Sequence, residues 1–315
     1  MRRFFYDTDS EYNASSNLHY PRLSTLSIGE SVALTENIVH HWCRVLRANV
    51  GDQGILFDGF GGEYQVQLED IGKKQAHVTL LAHVEDNRSA PIISKIGLVM
   101  SRGERMDYAI QKATELGVTA IQLLSSHHGE VNLKPAQVDK KLLHWQQIAI
   151  AACEQCGLNR PPLILAPQPI AQWLNAAMVT KTPGETTDEN ANRRIENLPV
   201  SSIIAAPSQD SYYQPLQQLA DLRMQMSVPA AGQPAMPKTL LTVLTQELPY
   251  IELLIGPEGG LSYDERSQAE KAGFLSWQIG QRVLRTETAP VVALATLHTL
   301  YQQLHNQSDI NSIRR

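Results

Sequence analysis

Cysteine is scarce: the chain has three, Cys43, Cys153 and Cys156. Three thiols do not build a disulfide framework, so the expected setting is a reducing cytoplasm. Long apolar runs are missing as well. No stretch of about 18 apolar residues occurs, which argues against a membrane-spanning helix. The opening MRRFFYDTDSEYN places no apolar segment behind its two arginines, so a secretory leader is not expected. A surplus of positive charge is also absent. The net charge is −5, so any RNA site has to be a local basic patch. Internal repeats are not visible. What the chain does have is 315 residues of which 43% are hydrophobic, enough for one large or two ordinary globular domains.

Residues 1–85 read as β structure. GILFDGFGGEYQVQLEDIGKKQAHVTLL alternates Ile55 and Phe57, Tyr64, Val66 and Leu68, then Ala76, Val78 and Leu80, with turns at Asp58-Gly59 and Gly72-Lys73. Short strands at this spacing suggest a small barrel, with one helix near Glu36–Arg47. EDNRSAP, at 85–91, reads as a linker. The rhythm then changes to α/β. ISKIGLVMS is a nearly continuous apolar strand of the kind buried in a parallel sheet. ERMDYAIQKATELG is an amphipathic helix stopped by Gly117, VTAIQLL a strand, 136–156 a long helix and PLILA a further strand. SSIIAAP, at 201–207, reads as another buried strand between a polar surface loop at 181–199 and a second insertion at 211–240, rich in Pro, Ala and Gly over 226–238, and 307–315 reads as a tail.

Two glycine-bearing loops carry the chemistry. In LLIGPEGGLSYDE an apolar strand runs into Gly256-Pro257-Glu258-Gly259-Gly260, and Ser262 and Glu265 have the spacing of a capping box. Such a turn brings backbone N–H groups close to a ligand, although a tight strand-to-helix connection would look the same. It is neither a P-loop, lacking Gly-Lys-Ser/Thr, nor a dinucleotide fingerprint, lacking the glycine spacing. FLSWQIGQRVLRTETAP repeats the grammar: a strand ends at Gly280, and Thr288 can cap a helix with Pro290 in its first turn. Leu284, isolated in a polar loop, suits one wall of an apolar pocket or a place on the core. Two such strand ends together fit a nucleoside-like ligand held by main chain.

Other patterns are weaker. CEQC at 153–156 has redox or zinc spacing but no second pair, and it ends a helix. Neighbouring residues do not share a helix face, so the pairs His40-His41 and His127-His128 are not ready metal sites, and no metal is expected.

LLIGPEGGLSYDE and IGQRVLRTETA resemble the two signature loops of the RsmE-type 16S rRNA uridine N3-methyltransferases, in the SPOUT superfamily of trefoil-knotted, S-adenosylmethionine-dependent enzymes. HHWCRVLRANVGDQGILFDGFGGEYQ is similar to that family's PUA-like barrel, and MSRGERMDYAIQKATELGV and KKLLHWQQIAIAACEQCG to its middle helices. The resemblance implies a PUA-like RNA-binding barrel at 1–85, a linker at 86–91, and a knotted α/β domain with a mainly parallel sheet at 92–306. It implies a cytoplasmic homodimer and S-adenosylmethionine held by Ala205, Ala206, Pro207, Ile255, Gly256, Glu258, Gly259, Gly260, Ile279, Gly280, Val283, Leu284, Arg285 and Thr286. The implied substrate is uridine 1498 of 16S rRNA in the assembled small subunit. The chain departs from the family pattern at Leu158, at Ser126-His127-His128, at Pro290 and in its insertions.

Methylating uracil N3 requires removal of its proton. Arg285 is the expected contact for phosphate or the uracil carbonyls, with Glu258, Glu287 or Glu154 as the base. Arg2, Arg3, Arg47, Arg102, Arg105, Lys112 and Arg160 are expected to face RNA. The alternatives are another SPOUT enzyme acting on tRNA or ribose, or a non-enzymatic RNA-binding assembly factor.

Overall fold

The computed structural model describes residues 1–7, 20–73, 75–86, 88–179, 212–228 and 235–313. They fall into two compact units. The first comprises 1–89 with 149–161; the second takes the described residues of 90–148 and from 162 onward. The first unit is built on a mixed five-stranded sheet of β1 (Arg2–Phe5), β2 (Ser31–Ala33), β3 (Gln53–Phe57), β4 (Glu63–Ile71) and β5 (Ala76–Val84), in the order β1-β3-β4-β5-β2. β1 runs parallel to β3 and the other pairs are antiparallel. Helix α1 (Glu36–Ile38) continues as a π-helical turn, Val39–Val45, which brings Trp42 onto Phe4 with ring centroids 4.8 Å apart. The alternating residues read from the sequence, Val66, Leu68, Val78 and Leu80, lie in this core.

Residues 149–161, expected within the α/β domain, pack with the first unit. The reason is chemical: Cys153 is buried against Phe5 and Phe57, flanked by Ile150 and Leu158. The polar residues around it, Glu154, Asn159 and Arg160, bond within the same unit.

In the second unit, β6 (Ile93–Val99) is followed by α2 (Glu104–Glu115), β7 (Ala120–Ser125), α3 (Pro135–Cys156), β8 (Leu163–Pro169) and α4 (Ile170–Val179). After these come β9 (Leu222–Met226), the short α5 (Leu240–Val243), β10 (Tyr250–Ile255), α6 (Tyr263–Lys271), β11 (Leu275–Trp277) and α7 (Ala289–Ile313). The six strands form one parallel sheet, ordered β11-β9-β10-β6-β7-β8. Every residue of β10 is buried, as a central parallel strand covered on both faces should be. No helix among the described residues is long and apolar enough to cross a membrane.

The stretch 211–240, read from sequence as an insertion, contains β9, which pairs with both β10 and β11. Its sequence, LRMQM, hides this because Arg223 and Gln225 are polar yet buried. Arg223 Nε donates to Glu252 Oε2 at 2.8 Å and its Nη1 to the Ala272 carbonyl at 3.2 Å. Glu252 faces Arg223 on one side in the sheet register and Lys95 on the other. A three-strand charge ladder thus crosses the sheet interior.

Candidate functional site

β9, β10 and β11 are neighbours and parallel, so their carboxyl ends open on one side. The loops that leave them enclose a cavity of about 190 Å³. β10 contributes Ile255 and then Gly256, Pro257, Glu258, Gly260 and Leu261; the segment after β11 contributes Ile279, Arg282, Val283, Leu284 and Thr286. β9 adds Gln225 to Met226 and, beyond its end, Ser227 and Val228. The two glycine loops touch: Thr286 Oγ1 donates to the Gly256 carbonyl at 3.3 Å.

Backbone geometry shapes this floor. Gly260 and Gly280 have φ of +72° and +75°, a left-handed conformation that costs a side-chain-bearing residue about 1–2 kcal/mol. A Cβ on Gly256 would stand 3.1 Å from Leu261 Cγ, so glycine lets the turn close onto the leucine wall. Gly260 N–H donates to the Pro257 carbonyl at 2.9 Å. The helix that follows carries the complete capping box: Ser262 Oγ accepts from Glu265 N–H at 3.2 Å, and Glu265 Oε2 from Ser262 N–H at 2.8 Å. Helix α7 begins beside the same cavity, with Ala289 on its wall.

The cavity has apolar walls in Leu261, Ile279 and Leu284 and charged side chains in Glu258, Arg266, Glu270 and Arg282. Apolar walls, backbone polar groups and opposite charges form a donor set suited to a zwitterionic adenosine derivative such as S-adenosylmethionine.

The site residues expected from sequence separate into groups. Ile255, Gly256, Glu258, Gly260, Ile279, Val283, Leu284 and Thr286 line the cavity. Gly259, Gly280, Arg285 and Glu287 belong to the same loops without contributing to its surface. Ala205, Ala206 and Pro207 lie outside the described residues. Gln225 to Val228, Leu261, Arg266 and Glu270 were not anticipated; alternating Leu222, Met224 and Met226 would have been the signal for the first group.

Among the acidic candidates, Glu258 lines the cavity and is ion-paired with Arg105 of α2. Glu287 is nearly buried, with one oxygen 3.9 Å from Arg285 Nη1 and Oε2 without a hydrogen-bond partner. Glu154 belongs to the first unit, where Oε1 accepts the Phe5 N–H at 2.9 Å. Burial raises its pKa, partly offset by that hydrogen bond.

Several of the basic candidates already have partners within the chain. Arg3 is buried and bridges Glu63 and Asn159. Arg160 donates to the carbonyls of Gly59 and Phe60, at 3.2 and 2.6 Å. Both hold their own chain, because a buried carboxylate and the carbonyls of the turn between β3 and β4 need donors there. Lys112 pairs with Glu115 at 2.7 Å and Arg102 with Glu130 at 3.3 Å. Arg2 and Arg47 are exposed. In CEQC, Cys153 is buried and Cys156 exposed, and burial holds the Cys153 thiol well above its ordinary pKa.

Known proteins share this organisation. The pattern of an RNA methyltransferase domain matches residues 88–211 and 211–298, and that of an RNA methyltransferase PUA domain matches 34–81. The chain is 30% identical over 275 residues to ribosomal RNA small subunit methyltransferase E of Synechocystis, covering 87% of this chain and 75% of the relative. It is 26% identical to the Buchnera aphidicola protein of that name, over 91% of this chain and 96% of the relative. Among solved structures, ribosomal RNA small subunit methyltransferase E of Neisseria gonorrhoeae bound to S-adenosyl methionine aligns with a TM-score of 0.67 and 30% identity, over 95% of this chain and 98% of that one. A Legionella pneumophila protein with bound SAM aligns at 0.68 and 27%, over 95% and 97%.

Proposed function

We propose, from the premise that this chain belongs to the RsmE family of PUA-containing RNA methyltransferases, that it methylates N3 of uridine 1498 in 16S rRNA of the small ribosomal subunit. The observation that carries the reading is the cavity at the joined ends of β9, β10 and β11, floored by two left-handed glycine loops. It is supported by relatives of similar fold that were solved with S-adenosylmethionine.

The cofactor, when bound, supplies an electrophilic methyl group on a sulfonium. In this chain Leu261, Ile279 and Leu284 would flank its adenosine, and Arg266 and Glu270 offer opposite charges to its amino-acid end. The chain's remaining work is alignment and proton removal. Glu258 takes the proton-accepting role ahead of Glu287 and Glu154, because of the three it is the one on the cavity wall. Its pairing with Arg105 means that RNA phosphate must compete for Arg105 before the carboxylate is released. Arg285, with its side chain 73% exposed, is free to meet the uracil carbonyls or a phosphate. The target base has to leave any stack to reach the donor. Val228 and Val283, apolar and exposed at the cavity, favour a covering surface there, which we assign to a second copy of the chain in a cytoplasmic homodimer.

Nucleoside analysis of 16S rRNA from cells lacking the protein tests the substrate: N3-methyluridine should vanish at that position. Its persistence, or loss of a different methylated nucleoside, refutes the assignment. Transfer assays on methyl-deficient small subunits test the roles, since full activity in both Glu258→Gln and Arg285→Ala would remove both residues from the mechanism.

A further inference from the structure

We infer that His128 is a positioning residue for the donor cavity, setting the Gly259-Gly260 turn from a different strand of the sheet. The inference rests on the functional reading above for its ligand, and on geometry alone for the contact.

The segment that follows β7 reaches the glycine turn at one point and the first turn of α6 at another. At the first, His128 Nδ1 lies 3.1 Å from the Gly260 carbonyl oxygen. A carbonyl can only accept, so the Nδ1 position must carry the proton. At the second, His127 donates its backbone N–H to Glu265 Oε1 at 2.7 Å, and the other oxygen of that carboxylate caps Ser262. Gly260 and Ser262 flank Leu261, whose side chain forms the cavity wall against Gly256. The wall residue is therefore pinned from both sides by one external segment. The approach is close: a Cβ on Gly259 would stand 3.3 Å from His128 Cβ, so backbone and imidazole pack directly.

The two histidines are adjacent but contribute differently. The anchor at His127 is its backbone, which any residue other than proline provides. The anchor at His128 is a side-chain donor, which few residues provide. The left-handed Gly260 has no Cβ to restrict it, so its carbonyl direction depends on such an external donor. An adjacent pair that offers no shared metal geometry thus acquires a role in which one member works through its ring and the other through its main chain.

The test uses the full-length protein with His127→Ala, His128→Ala and His128→Asn. The Asn amide nitrogen can occupy the Nδ1 position and donate to the same carbonyl. S-adenosylmethionine affinity is read by calorimetry, and hydrogen exchange of the peptide covering 256–262 is read without ligand. Losing one neutral hydrogen bond predicts a dissociation constant raised about 2- to 10-fold in His128→Ala. His128→Asn should recover most of the loss, and His127→Ala, which keeps the backbone donor and loses only the edge-on ring contact with His128 at 4.8 Å, should lie closer to wild type than His128→Ala. Exchange in the turn should accelerate in His128→Ala and be restored in His128→Asn. If His128→Asn behaves like His128→Ala, or exchange is unchanged in both, the inference fails. If wild type does not bind the cofactor, the functional reading fails, and the exchange measurement still decides the contact.

Discussion

Replacing Arg223 by leucine should destabilise the second unit strongly, and undoing its partner should repair much of the damage. Arg223 and Glu252 have side chains 7% and 6% exposed and are joined at 2.8 Å. Glu252 also accepts from the Tyr250 hydroxyl at 3.0 Å and lies 3.5 Å from Lys95 Nζ. Burial, then Glu252, keeps that hydroxyl protonated far above its usual range. Breaking a buried pair costs about 3–5 kcal/mol, because the surviving charge is left without its partner. Lys95 and Tyr250 still serve Glu252, so the lower end, about 3 kcal/mol, is the working figure. For a unit of this size each kcal/mol moves the midpoint by about 2–4 °C, giving a fall of roughly 6–12 °C by calorimetric unfolding. The double variant Arg223→Leu/Glu252→Gln removes both charges of the pair while leaving Lys95 and Tyr250 a neutral acceptor, and should lie well above the single one. A fall of under about 2 °C in Arg223→Leu, or a double variant less stable than the single, would refute the ladder as a stabilising unit. Since β9 runs directly into the cavity wall at Ser227, cofactor affinity should fall in the single variant and return in the double.

Three further outcomes follow from the same geometry. Gly260→Ala meets no atom within 4 Å, so its cost is backbone strain alone: about 1–2 kcal/mol, read as a roughly 5- to 30-fold weaker cofactor affinity in calorimetry if the turn relaxes only in the free protein. Arg3→Ala should lower the unfolding midpoint of the first unit by removing the buried one of Glu63's two arginine partners, Arg88 at 2.9 Å remaining, whereas Arg2→Ala and Arg47→Ala should leave it unchanged and each reduce the salt dependence of RNA binding by about one unit of slope. Glu154 has a folded pKa raised chiefly by burial, so the folded state binds the extra proton; its stabilisation is full below the ordinary glutamate pKa and is lost as pH rises through the folded value. Glu154→Gln should flatten that stretch of the stability–pH curve, and should retain methyl transfer if the carboxylate only anchors Phe5.

Periodicity made much of the fold legible. β6, β7, β8 and β10 are apolar runs in a setting of amphipathic helices, and the helices at Glu104–Glu115 and Pro135–Cys156 match their patterns closely. β9 escaped because its burial is electrostatic as well as apolar: Arg223 can be interior only with Glu252 beside it, and that partner is on another strand. The end of α3 escaped for a similar reason. Cys153, Glu154, Asn159 and Arg160 look like a chemical cluster in sequence, but each is satisfied by the first unit, through Phe5, Arg3, Gly59 and Phe60.

The site divides along the same line. Its backbone part was readable because glycine spacing and a capping box are local, and a local signal needs no partner to be interpreted. Its side-chain part was not, because the function of an arginine depends on what is already near it. Arg3, Arg105 and Arg160 have the same chemistry as Arg2 and Arg47, yet they are committed to Glu63, Glu258 and turn carbonyls. The commitments are not equivalent. Arg3 pairs inside the core, where no phosphate can compete, while the Arg105–Glu258 pair is roughly half exposed at the cavity, with side-chain exposures of 44% and 43%. An exposed pair contributes only about 0–1 kcal/mol and yields readily to an incoming phosphate. Of Arg3, Arg105 and Arg160, Arg105 is therefore the one whose pair is exposed enough for a phosphate to compete, and the partner it would release is the carboxylate on the donor cavity.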